Sequence, residues 1–224
     1  MTTKKSTNSD ADMDVSSLRR SATGQTLERE DLDDDPVRQF AEWMRQALDL
    51  DTLDPNAMSV ATVDKNNRPS CRTVLLKYFD EQGFVFFTNL TSNKATQISE
   101  NENVALLFFW PDLGRQISIR GSAERVSAQE SLRYFLTRPR GSQIGAWVSA
   151  QSSIISSRSL LEAKYAEIKQ KFADKEVPIP SFWGGYRVVP SQIEFWQGRT
   201  NRLHDRFLYT RLDGDEWSVE RLAP

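Results

Sequence analysis

The stretch EFWQGRTNRLHDR, residues 194–206, sets the single histidine of the chain, His204, between Arg202 and Arg206, with Trp196 a short way upstream. An imidazole, planar guanidinium groups and an indole face suit an anionic or aromatic ligand. They do not suit a metal, because one His and one Cys fall short of the three or four such ligands that zinc usually takes. The HD pair invites a Ser-His-Asp triad. Neighbours on a strand point to opposite faces, however, so Asp205 is badly placed to orient His204. The plain alternative is an ordinary surface loop.

Four other stretches carry groups of the same kind. In RTVLLK, Arg72 and Lys77 bracket an apolar core; strict alternation over five positions puts them on opposite faces, unless a bulge re-aims one. In FFTNLTSNK, Thr88, Ser92 and Lys94 gather where a strand gives way to a helix. Hydroxyls, free backbone N–H groups and an ammonium there suit a phosphate, or make an ordinary N-cap with a surface lysine. In YFLTRPRGSQ, Tyr134 and Arg138 are four apart and share a helix face, with Ser142 beyond the proline turn, a second set of phosphate donors. In AWVSAQSS, Gln151 and Ser152 sit at a turn, where amide and hydroxyl could read a heterocycle edge.

These groups need a scaffold, and composition limits which one. The chain has 224 residues, 38% hydrophobic and 27% charged, enough to bury a core. Its net charge of −2 argues against general affinity for nucleic acid. The lone Cys71 excludes an internal disulfide and fits a reducing, cytoplasmic setting; it reads as a strand cysteine rather than a nucleophile. No apolar run is long enough to span a membrane, and the N-terminus lacks the apolar segment of a secretory signal.

Residues 1–30 are polar and aperiodic and read as a disordered tail; residues 31–224 read as a single domain. Pro36 after an acidic run opens a helix near 36–49, with Phe40, Trp43, Met44, Ala47 and Leu48 on one face. The period then changes to that of strands, at 57–64, 70–80 and 84–89, joined by hairpin-length turns. A short helix near 91–101 and strands at 104–110 and 115–126 follow. Next come helices at 127–139 and 156–174, the second with Leu160, Leu161, Ala163, Tyr165, Ile168 and Phe172 as its stripe, and then more strands. This order predicts an α+β, mainly β, antiparallel barrel with peripheral helices. No glycine-rich phosphate loop is present, so side chains must hold any nucleotide.

Taken together, RTVLLK, FFTN with SNK, RQ at 115–116, YFLTRP, SQIGAWVSAQSS, WGGYRVVP, EFWQGRTNRLHDR and the terminal ERLAP resemble the pyridoxamine 5′-phosphate oxidase family, in order, from residue 36 to the end. The resemblance implies an FMN-binding split β-barrel and a homodimer with FMN at the subunit interface. It implies oxidation of pyridoxamine and pyridoxine 5′-phosphates by O2 to pyridoxal 5′-phosphate, releasing H2O2 and, from the amine, ammonia. By motif match, Arg72, Lys77, Thr88, Ser92, Asn93, Lys94, Gln116, Gln151, Ser152, Trp196 and Arg206 would bind FMN. Lys77, Tyr134, Arg138 and Ser142 would clamp the substrate phosphate, and Arg202 and His204, the candidate catalytic pair, would hold the pyridine ring.

Two positions depart from the family pattern. Asn93 stands where the family usually has arginine, which removes a charge-assisted contact worth about 1.5–3 kcal/mol and predicts weaker FMN retention. Ala22 stands where a tyrosine usually helps cover the substrate, leaving Arg19 to any such role. A flavin or pyridoxal 5′-phosphate binder without oxidase activity, and a nicotinamide-dependent flavin reductase, are the competing readings.

Overall fold

The computed structural model describes residues 16–17, 24–50, 53–214 and 216–224. Nine strands form one curled antiparallel sheet, a half-barrel flanked by five helices among the described residues. The first helix, α1 (Pro36–Leu48), starts where expected: the Asp35 carboxylate accepts from the Val37 N–H, and Pro36 occupies the first turn. Phe40, Trp43, Met44 and Ala47 are buried, while Leu48 is exposed. The Phe40 ring meets those of Phe79, Phe84 and Phe108 edge-on, with centroids 4.8–5.0 Å apart, and so plugs the barrel.

The sheet runs β2 (Pro69–Leu75), β1 (Ala57–Val63), β5 (Asn103–Trp110), β6 (Arg115–Arg125), β7 (Trp183–Gln197), β4 (Gly83–Asn89), β3 (Tyr78–Asp80). The expected single strand over 70–80 is two. It breaks at Leu76–Lys77, where the chain leaves the β1–β2 ladder and joins β4 through Lys77 N–H to Val85 O (2.8 Å). The alternation argument for Lys77 therefore ends at Leu75.

Strand β7 forks the sheet. One edge pairs with β6 along most of its length. The other pairs first with β4, over residues 183–188, and then with β8 (Asp205–Arg211), over 192–197; β9 (Trp217–Arg221) extends beyond β8. Pro190 sits at the changeover, where its missing N–H is tolerated, opposite a register shift at Arg120/Gly121. A Cβ on Gly121 would lie 2.0 Å from the Val189 carbonyl oxygen, so only glycine permits this approach.

Helix α2 (Asn93–Glu100) follows β4. Helices α3 (Ala128–Thr137), α4 (Arg140–Val148) and α5 (Arg158–Lys171) share a second apolar cluster of Phe135, Ile144, Val148, Ile168, Phe172, Val177 and Trp183. Helix α4 lies where no helix was expected, just beyond the proline turn at Pro139. Of the α5 stripe, Ile168 and Phe172 are buried, Leu161 and Tyr165 half-buried, and Leu160 and Ala163 exposed. Residues 24–30, assigned to the tail, carry a buried Leu27 and the start of a 3-10 turn, Arg29–Asp31. Ordered packing thus begins before residue 31. The rest of that expected tail, apart from residues 16–17, lies outside the described residues, as do Arg19 and Ala22.

Candidate functional site

Strand β4 and the helix after it bring one set of expected residues together. Thr88 is buried near the end of β4. Its hydroxyl donates to Gln151 Oε1 (3.0 Å) and accepts from Lys94 Nζ (3.0 Å). Lys94 Nζ also donates to Gln151 Oε1 (2.7 Å) and lies 3.4 Å from Ser92 Oγ. Ser92 is the N-cap of α2, yet its side chain makes no cap bond; Ser152 Oγ, across the cleft, accepts the Asn93 N–H at 3.2 Å. The Asn93 side chain is exposed.

Arg72 reaches the same place from β2. Its Nη1 donates to Val60 O (3.1 Å) and Thr62 Oγ1 (2.6 Å), and its Nη2 to Gln97 Oε1 (3.3 Å). Burial, then the nearby Arg72, pull the Lys94 ammonium down to about 8. Burial also lowers the Arg72 pKa.

A second set gathers around Phe87, the neighbour of Thr88. The Tyr134 ring stacks on Phe87, centroids 4.2 Å apart, and Phe87 stacks on Trp183 at 5.2 Å. The Arg138 guanidinium lies 4.8 Å from the Trp183 ring centre, a cation–π contact. Arg138 caps α3 in extended conformation rather than continuing the helix, and remains close enough for the Tyr134 oxygen to act on it electrostatically. Its Nη1 is buried with no hydrogen-bond partner. Solvent exclusion, then Arg138, lower the Lys77 pKa, which places these two cations near each other. Ser142 is exposed on the first turn of α4.

None of Arg72, Lys77, Lys94 and Arg138 forms a salt bridge with a carboxylate among the described residues. Two pairs of cations thus stand in partly dry surroundings, each member raising the cost of the other's charge.

The third set lies elsewhere. Gln116, Trp196 and Arg206 form one row across β6, β7 and β8 through the pairs Gln116↔Trp196 and Trp196↔Arg206. His204 packs on Trp196, ring centroids 4.4 Å apart, and its Nδ1 accepts the Arg199 N–H (3.0 Å). A neutral His204 therefore carries its proton on Nε2. Arg202 is exposed, after a turn in which Asn201 and Arg202 both take left-handed φ, 56° and 62°. Arg206 Nε donates to Glu194 Oε1 (2.7 Å), and Nη1 to Ala223 O (2.9 Å). Asp205 does not bond to His204: its carboxylate meets Arg199, Arg221 and the Leu27 N–H.

Within one chain this row and the Thr88 set lie towards opposite ends of β7. Thr88 pairs with Gly184 and Gln116 with Trp196, twelve positions further along the same strand. The contour length along the strand is roughly 35–40 Å, at about 3.3 Å per residue. On the outer sheet face beside Trp196, Leu107 and Phe109 are exposed.

Thr62, Ser70 and Gln97 had no place in the sequence reading. The available signal was the i, i+3 spacing of Lys94 and Gln97 on α2, which sets them on one face. A cavity of about 810 Å³ lined by Asp34, Arg38, Glu124, Arg187 and Arg211 contains none of the expected site residues. No group of three His, Cys, Asp or Glu suited to a metal occurs among the described residues, and no helix there is long and apolar enough to cross a membrane.

Comparison with known proteins points to one family over most of the described fold. Residues 41–172 match the family described as pyridoxamine 5′-phosphate oxidase, and residues 183–224 match the pyridoxine 5′-phosphate oxidase C-terminal dimerisation region. The pyridoxine/pyridoxamine 5′-phosphate oxidase of Rippkaea orientalis is 60% identical over 95% of this chain and 100% of its own. That of Aliarcobacter butzleri is 58% identical over the same shares. Among solved structures, PhzG from Burkholderia lata, in complex with tetrahydrophenazine-1-carboxylic acid, superposes with a TM-score of 0.84. It is 29% identical and covers 92% of this chain and 100% of its own.

Proposed function

Because the chain belongs to the pyridoxamine 5′-phosphate oxidase family, we propose that it is a homodimeric FMN enzyme that oxidises pyridoxamine and pyridoxine 5′-phosphates to pyridoxal 5′-phosphate. O2 is the electron acceptor, with H2O2 as the second product and ammonia released from the amine. The carrying observation is the pair of carboxylate-free cation clusters, one beside Lys94 and one beside Arg138. Two clusters suit two phosphorylated molecules, and the unpaired Arg138 Nη1 is a donor awaiting an acceptor.

FMN, when bound, supplies the two-electron redox chemistry. Arg72, Lys94, Thr88, Ser92, Ser152 and the Asn93 segment hold its phosphate end, with Lys77 and Gln151 along its chain. Lys77, Arg138, Tyr134 and Ser142 hold the substrate phosphate. We assign Gln116, Trp196 and Arg206 to the second copy, a reading supported by the places of Thr88 and Trp196 towards opposite ends of β7. The same wall brings Arg202 and His204 over the pyridine ring. Arg202 offers a planar, permanently charged face, and His204 offers Nε2–H, its ring held by Trp196 and the Arg199 N–H. Their role is to hold the ring flat against its reaction partner and exclude water. The reaction fits a place in vitamin B6 metabolism and a cytoplasmic setting.

The test is direct. The purified protein should release FMN on denaturation and form peroxide only when pyridoxamine or pyridoxine 5′-phosphate is added. Flavin without substrate-dependent peroxide would indicate a binding protein instead. Flavin bleaching by a nicotinamide donor would indicate a reductase.

A further inference from the structure

We propose that Gln97 and Thr62 are positioning residues that aim the Arg72 guanidinium at the FMN phosphate without cancelling its charge; this rests on the FMN reading above. The network is closed and its polarity is consistent. Arg72 Nη1 donates to Val60 O (3.1 Å) and Thr62 Oγ1 (2.6 Å), and Nη2 donates to Gln97 Oε1 (3.3 Å). The Thr62 hydroxyl, fully buried, donates in turn to Gln97 Oε1 (2.5 Å). Gln97 Nε2 then donates to Ser70 Oγ (3.0 Å), which fixes which way the amide faces.

Every acceptor gripping the guanidinium is neutral: a backbone carbonyl, a hydroxyl and an amide oxygen. A carboxylate would hold the same nitrogens and also neutralise the cation, leaving little net attraction for an anion. Neutral acceptors fix the orientation, and the whole positive charge stays available. Gln97 also stands one turn beyond Lys94 on α2, so the helix that supplies one cation aims the other. This linkage puts Arg72 close enough to lower the Lys94 pKa. It also concentrates the phosphate contacts on Arg72 and Lys94, the position between Ser92 and Lys94 being the neutral Asn93.

The experiment uses full-length apoprotein titrated with FMN and with riboflavin, which lacks the phosphate, followed by flavin fluorescence. Gln97→Glu keeps the grip and adds the charge. It should weaken FMN at least about tenfold while changing riboflavin less than about twofold, with an unchanged apoprotein melting temperature. Thr62→Val, nearly isosteric, should weaken FMN about three- to tenfold with riboflavin again little changed, and Thr62→Ser should restore binding. Equal losses for FMN and riboflavin in both variants would show a merely structural role and overturn the proposal. Unchanged FMN affinity in both would also overturn it. If the wild-type protein failed to bind FMN, the functional reading itself would fall, and this inference with it.

Discussion

Between pH 7 and pH 9, FMN binding should weaken about tenfold through one amine. The Lys94 ammonium titrates at about 8 in the FMN-free protein, because burial, and then Arg72, oppose its charge. About nine tenths of it is charged at pH 7 and about one tenth at pH 9. The phosphate of FMN is a dianion across this window, its second pKa being about 6, and it selects the charged amine. The apparent Kd should therefore rise about tenfold, or about 1.4 kcal/mol. Stability of the FMN-free protein moves the other way. An unfolded lysine titrates near 10.5, so from about pH 8 to 10.5 the unfolded chain binds more protons than the folded one, and folding grows more favourable as pH rises. Below pH 8 the full cost of the buried charge weighs on the apoprotein. Fluorescence titration of apoprotein with FMN and riboflavin at pH 7, 8 and 9 measures the first effect, and melting temperatures over the same series measure the second. A constant ratio of FMN to riboflavin affinity would refute the reasoning. So would a Lys94→Met variant that kept the wild-type pH dependence.

Arg138→Met should raise KM for pyridoxamine 5′-phosphate about 10–100-fold and leave the dephosphorylated amine unaffected; steady-state kinetics on both substrates would reject the clamp if the two changed alike. Arg202→Leu should keep FMN but lose turnover. Mixing it with Lys94→Glu under exchange should restore activity to about a quarter of wild-type sites, since half the dimers are mixed and one of their two sites is intact. No recovery in verified mixed dimers would place the whole site within one chain. Phe40→Ala should cost about 3–5 kcal/mol in denaturant unfolding by emptying the barrel plug, and a change under about 1 kcal/mol would contradict its central place.

The hairpins and the first helix were legible because their signals are local: period-two apolar runs, tight polar turns, and Pro36 behind an acidic cap. The break at Leu76–Lys77 was hidden, since a strand that changes partners keeps its extended geometry and apolar pattern. Helix α4 was hidden for the opposite reason, as tertiary packing of Ile144 and Val148 outweighs two glycines of low helix propensity. At the site, the cations were visible as residue types, and motif resemblance supplied their partners. What spacing could not carry was which copy would supply each group, because Thr88 and Trp196 are distant in sequence and are ordered only by their places along β7. Gln97 and Thr62 were silent for a related reason: neutral side chains become informative only when a buried guanidinium is seen to rest on them.

Strand β7 also works as a ruler. One end lies beside β4 and the Thr88 cluster; the other carries Trp196, which the proposed site assigns to the opposite copy. On the proposed two-copy site, its length sets the spacing between the two reaction centres of a dimer. Removing one residue between Pro190 and Trp196 would turn the wall's side chains to the wrong face, and removing two would keep the face but pull the wall back by about 7 Å. Either change would damage both centres at once, although it touches neither cation cluster. The turn near Gly214, between β8 and β9, carries none of the proposed site residues, so a length change there should leave both centres intact.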